Sequence, residues 1–145
     1  MHNCGELFMR LLIVILLFGL TTACVTSSQS LYAELGGEDK VDEVVENFIT
    51  EIEFDPMMYD YFKDSDIGRF REKFTEHFCM LTGGPCEYTG DTMEQVHTGM
   101  EISEANFNHA VDLLISAMNK ANIPHRLQNR VLATMAPLRG SIIYI

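Results

Sequence analysis

The chain has 145 residues, with 21 acidic side chains against 10 basic ones and a net charge of −11. That length suits one domain and little more. So acidic a surface excludes nucleic acid as a partner, because phosphate binding needs a positive footprint.

The chain opens on a leader. In "MRLLIVILLFGLTTAC", Arg10 precedes an apolar run from Leu11 to Leu20, and small residues close on Cys24. The run is too short to span a bilayer comfortably and reads as a signal peptide over residues 1–23. "MHNCGELF" upstream carries an acid and no base, so translation is expected to start at Met9. The ending "LTTAC" resembles a bacterial lipobox, with Thr21 where that motif prefers leucine. The resemblance implies lipidation of Cys24, export, and a membrane-anchored envelope protein. Val25 stands where aspartate would favour inner-membrane retention, which points to the outer membrane, facing the periplasm. Cleavage near Ala23 without lipid, or a retained anchor, is the alternative. Residues 24–29 form a polar tether, and the domain is expected to run from 30 to 145.

Helical spacing dominates the chain from Ser30 onward. "SLYAELGG" reads as a short helix stopped by Gly36 and Gly37. From Asp39, the residues Val41, Val44, Val45, Phe48, Ile49 and Ile52 recur on one helical face that ends before Pro56. "MMYDYF" reads as an aromatic connection ending at Phe62. A helix from about Ser65 to Leu81 turns Ile67, Phe70, Phe74, Phe78 and Leu81 inward, and "GGP" stops it. Cys79 and Cys86 flank that stop. In an exported chain they can bridge or stay as two free thiols, and neither has the close cysteine partner of a zinc motif.

"DTMEQVHTGMEI" then places His97 at the end of a short helix, with Met93 and Val96 as apolar backing. Ser103 is an N-cap for a long helix with Phe107, Ala110, Val111, Leu114, Ile115 and Met118 inward. "NIP" breaks it, and a last helix runs from Pro124 through Leu127, Val131 and Met135 to Pro137. No segment alternates like a strand, so the fold class is all-α.

The segments "LYAELGGEDKVDEVVENF", "YF" before a helix, "LTGGPCEYTG", "QVHTGMEI" and "MAPLR" stand in an order that resembles group I truncated haemoglobins, from about Ser30 to Arg139. The resemblance implies a two-over-two helical sandwich around haem b. His97 would be the proximal iron ligand, a role that suits a neutral imidazole. Met93, Ile102 and Phe107 would line its side, and Phe62 would pack on the haem face. Lys73 matches a position near the haem edge, where it would pair with a propionate, stay solvated, or swing in to bind iron. His77, one turn beyond Phe74, would border the distal cavity or be partly exposed, with exposure the leading expectation. His109 and His125 are expected on the surface.

The pattern departs from the family on the distal side. Phe48-Ile49 stands where the family commonly has Phe-Tyr, whose hydroxyl bonds the gas ligand. Phe74 replaces a second polar position, often glutamine, and Phe70 faces the ligand. Phe48, Ile49, Phe70, Phe74, His77 and Phe78 make up the expected distal pocket, and its apolar character puts stable oxygen storage in doubt.

The function implied is binding of oxygen, nitric oxide or carbon monoxide at the cell envelope, for oxygen transport or nitric oxide handling. A nitric oxide dioxygenase-type activity would need an external electron donor, since no reductase segment is present. The alternative is an electron-transfer or haem-handling lipoprotein with six-coordinate iron.

Overall fold

The computed structural model describes residues 29–145, so the leader, Met9 and Cys24 lie outside the described residues. The described chain is helical, in the order α1 (Leu31–Leu35), α2 (Glu38–Phe54), α3 (Pro56–Phe62), α4 (Ile67–Leu81), α5 (Met93–His97), α6 (Glu104–Lys120) and α7 (His125–Met135). A 3-10 segment, Ala136–Ser141, follows. The all-α expectation holds, and no strand occurs among the described residues.

Caps set the helix starts. Ser30, Asp66, Thr92 and Ser103 each accept a hydrogen bond from a first-turn amide, offsetting donors that a helix leaves open. Thr92 and Ser103 form reciprocal capping boxes with Gln95 and Asn106. Asp55 corrects the reading of "MMYDYF" as a mere connection. Its carboxylate caps Met57 and Met58, and Pro56 occupies the first turn, so the segment is a helix. Asp55 also bonds His109 Nε2 at 2.7 Å, which makes His109 a half-buried structural residue rather than a surface one. His125 is exposed, as expected.

The two long helices α2 and α6 pack on each other, α2 also meets α4, and α4 meets α7. Val41, Val44 and Val45 of α2 are buried together with Met118 and Val131. Each such side chain contributes about 1.5–3 kcal/mol on leaving water. Gly84 allows the turn after α4, because a Cβ there would lie 2.5 Å from Cys79 Sγ and 2.8 Å from the Tyr32 ring. Cys79 and Cys86 form a disulfide, with their Cα atoms 5.8 Å apart. That resolves the open choice between bridge and free thiols.

Candidate functional site

A cavity of about 480 Å³ opens between α4, α5 and α6 and the C-terminal segment. Its size lies within the range of small-molecule and cofactor sites. Phe70, Lys73, Phe74, His77 and Leu81 reach it from α4, at the spacing that keeps residues on one helical face. Phe48 and Ile52 of α2 close one end. Met58 and Phe62 come from α3, and Met93 and His97 from α5, with Ile102 just beyond it. Phe107 and Leu114 come from α6.

Every residue expected to surround a cofactor (Phe62, Phe70, Lys73, Phe74, Met93, His97, Ile102 and Phe107) lies on this cavity. Two distal expectations need correction. Ile49 is half-buried against the core and does not line the cavity, because it is turned about 100° round α2 from Phe48. Phe78, 1% exposed, likewise faces the core beside α2 and meets the Phe74 ring edge-on at 6.2 Å. The rings of Phe70 and Phe74 stack at 5.5 Å, and Phe62 meets Phe70 at 4.8 Å. Together with Phe48, 5.2 Å from Phe74, they make that wall an aromatic sheet without a donor.

His97 ends α5. Its Nδ1 lies 2.7 Å from the carbonyl oxygen of Met93, one turn back. A carbonyl only accepts, so Nδ1 carries the proton and Nε2 keeps its lone pair. A backbone carbonyl that fixes tautomer and ring plane in this way is the usual support of a metal-binding histidine. An apolar cavity of cofactor size, bordered by an imidazole with a free lone pair, fits haem.

Lys73 does not offer itself to iron. Its ammonium reaches Glu72 at 2.7 Å, Glu76 at 2.9 Å and Thr89 Oγ1 at 2.7 Å, which commits all three donors. The Glu76 carboxyl is drawn from its ordinary 4.5 down to about 2, first by Lys73 and then by the Thr89 amide. Arg69 pairs with Asp91 at 2.9 Å beside a smaller cleft that shares Lys73, Tyr88 and His97 with the cavity.

His77 corrects the expectation of exposure. It is 8% exposed and lies against the Tyr88 ring, with centroids 4.6 Å apart. Burial holds its pKa below the usual histidine value. Sequence reasoning also missed Tyr61, Tyr88 and Met100, and the whole wall formed by Met135, Leu138 and Ile142. The chain end returns to that wall: Tyr144 donates its amide to Ile102, and Gly99 donates to Ile145.

Residues 30–144 match the family described as bacterial-like globin. The chain belongs to that family. The globin is 33% identical to a group 1 truncated haemoglobin of Mycolicibacterium paratuberculosis over 113 residues, 78% of this chain and 83% of the relative. It is similar in fold to the crystal structure of truncated haemoglobin from Tetrahymena pyriformis in the Fe(III) form, with a TM-score of 0.76 and 24% identity. That match covers 79% of this chain and 98% of the other. Truncated haemoglobin THB11 from Chlamydomonas reinhardtii superposes with a TM-score of 0.70 at 27% identity, over 81% and 97% of the two chains. The fold is therefore the two-over-two globin, and haem is the cofactor. Haem-based binding of diatomic gases follows from membership of the family.

Proposed function

We propose that this globin holds haem through His97 Nε2 and handles nitric oxide and oxygen at the cell envelope. The observation that carries the reading is the Met93 carbonyl on His97 Nδ1, which leaves one lone pair beside an apolar cavity. Haem supplies an iron that takes a diatomic gas reversibly, and the surrounding side chains decide how firmly. Phe62, Phe70 and Phe74 would exclude water and pack against the macrocycle. Met93, Ile102 and Phe107 would line the cavity on the side of His97.

The reading in which Lys73 caps the iron loses support, because two carboxylates and a hydroxyl already hold its ammonium. Nitric oxide handling with turnover needs an electron donor from outside this chain, and a lipid anchor at Cys24 would place both partners at one membrane. The leader pattern and a disulfide, which persists in oxidising compartments, support export.

Two measurements test the proposal. Ferric and ferrous optical spectra, with nitric oxide, carbon monoxide and oxygen added in turn, should show a five-coordinate ferrous form that takes each gas. Absence of spectral change with all three gases would remove the gas-binding reading. Intact mass of membrane and soluble fractions should show a lipid-modified Cys24. A soluble product with unmodified Cys24 would remove the envelope anchor.

A further inference from the structure

The histidine assigned to haem stands on a weakly supported element. α5 has five residues, none of them buried, and helices that short are not stable on their own. Among the described elements, the only one that α5 meets substantially is the 3-10 segment Ala136–Ser141. The capping box and the Met93 carbonyl order the helix and the His97 ring internally, but neither ties them to the rest of the molecule.

Residues 139–145 supply the tie. The Tyr144 N–H donates to the Ile102 carbonyl at 3.0 Å, and the Gly99 N–H donates to the Ile145 carbonyl at 3.0 Å. These two bonds bracket the loop that leaves His97. Arg139 anchors the segment to α6, where it pairs with Glu104 and lies 5.9 Å from the centre of the Phe107 ring. Ile142, between the anchors, lines the cavity together with His97. The backbone is bent to make the contact: Gly99, Glu101 and Tyr144 have φ of 80°, 52° and 56°. Residues that carry a side chain seldom take such angles unless their surroundings impose them. A Cβ on Gly99 would meet nothing, so glycine serves there for its angle and not for room. The Tyr144 side chain is 69% exposed and stays off the cavity wall, so only the backbone of that residue holds the loop.

We propose that residues 139–145 form a backbone clasp that positions His97 against the cavity, with Tyr144 as the positioning residue. The inference rests on His97 holding haem in this cavity. Opening of the clasp lets α5 swing away with its histidine, so the two backbone bonds set how long haem stays.

The test uses the full chain as wild type, Tyr144→Pro, Tyr144→Gly and Val41→Ala. Proline has no N–H and cannot take a positive φ, whereas glycine keeps the N–H and suits that angle. Each bond lost should raise the open population about 5-fold, or about 30-fold for both. Haem transfer from the loaded protein to excess apomyoglobin should speed up by that factor in Tyr144→Pro. Tyr144→Gly should release haem no faster than wild type. The iron–histidine stretching band of the ferrous form, read by resonance Raman, should shift or broaden in Tyr144→Pro alone. In the haem-free protein, amide exchange at Gly99 should quicken by the same factor in Tyr144→Pro, with α2 and α6 unchanged. Val41 is buried in the core away from the cavity, so Val41→Ala should lower the melting temperature without moving the Raman band.

Wild-type haem retention and an unmoved band in Tyr144→Pro overturn the clasp and leave His97 in place. So does equally fast haem loss from Tyr144→Gly, or a shifted band in Val41→Ala. A Gly99 amide that exchanges freely in the haem-free wild type removes the clasp as well. A haem-loaded wild type without any iron–histidine band is a different result: it removes His97 as the ligand, and the positioning role falls with it.

Discussion

The bridge between Cys79 and Cys86 closes the loop that follows α4, and breaking it should soften both the fold and the cavity wall. Cys86→Ser is the informative change. Cys79 is buried at 1% exposure, and as a free thiol it remains a small apolar side chain that fits where it stands. The difference is then loop closure across a separation of 7 residues, worth about 2–3 kcal/mol at 25 °C in the chain-entropy account. For a domain of this size the melting temperature should fall by on the order of 10 °C. The freed loop carries Tyr88, which braces His77, and Thr89, which bonds Glu76. Amide exchange should therefore accelerate from residue 83 to 91 before it does in α2 or α6. The assay is thermal unfolding of haem-free protein by circular dichroism, with and without reductant. Reductant should lower wild type to the level of the variant and leave the variant unmoved. Equal melting of oxidised wild type and Cys86→Ser would refute the reasoning.

Further expectations concern the charged edge of the cavity. The Glu76 carboxyl lies below its ordinary value, so its ion pair contributes stability above pH 4.5 and loses it as pH falls toward about 2. The melting difference between wild type and Glu76→Gln should be present at pH 7 and shrink across that window; a difference that grows on acidification contradicts the pairing. Lys73→Met should leave the ferrous spectrum of the haem-loaded protein unchanged while speeding amide exchange at Thr89, and a change in coordination would show that the lysine reaches iron.

Most of the helices are legible in the sequence because their apolar residues recur at helical spacing and their caps are explicit. Val41, Val44, Val45 and Phe48 can hardly be read otherwise, and Ser103 marks the start of α6 correctly. The seven residues of α3 are too few to show a period, and Asp55-Pro56 looks like a stop when it is equally a start. Family position assigns Ile49 to the cavity, but a single step along α2 turns it to the core. His77 looks exposed in the sequence because its own helix gives no sign of Tyr88, which arrives from the loop eleven positions later and lies against it. The wall built from Leu138 and Ile142 is invisible for a similar reason: it depends on the chain end returning to α5, and no local pattern encodes a return. His97 is legible from its motif, while the tautomer that frees Nε2 needs the Met93 carbonyl in place.

The central claim, that His97 holds the haem, is tested most directly by haem retention in His97→Ala beside His77→Ala. Both proteins are loaded with haem, passed through a desalting column and read by their Soret absorbance per polypeptide. The account predicts loss of stable haem from His97→Ala and retention by His77→Ala. Full retention in the His97 variant, or equal loss from both, would contradict it.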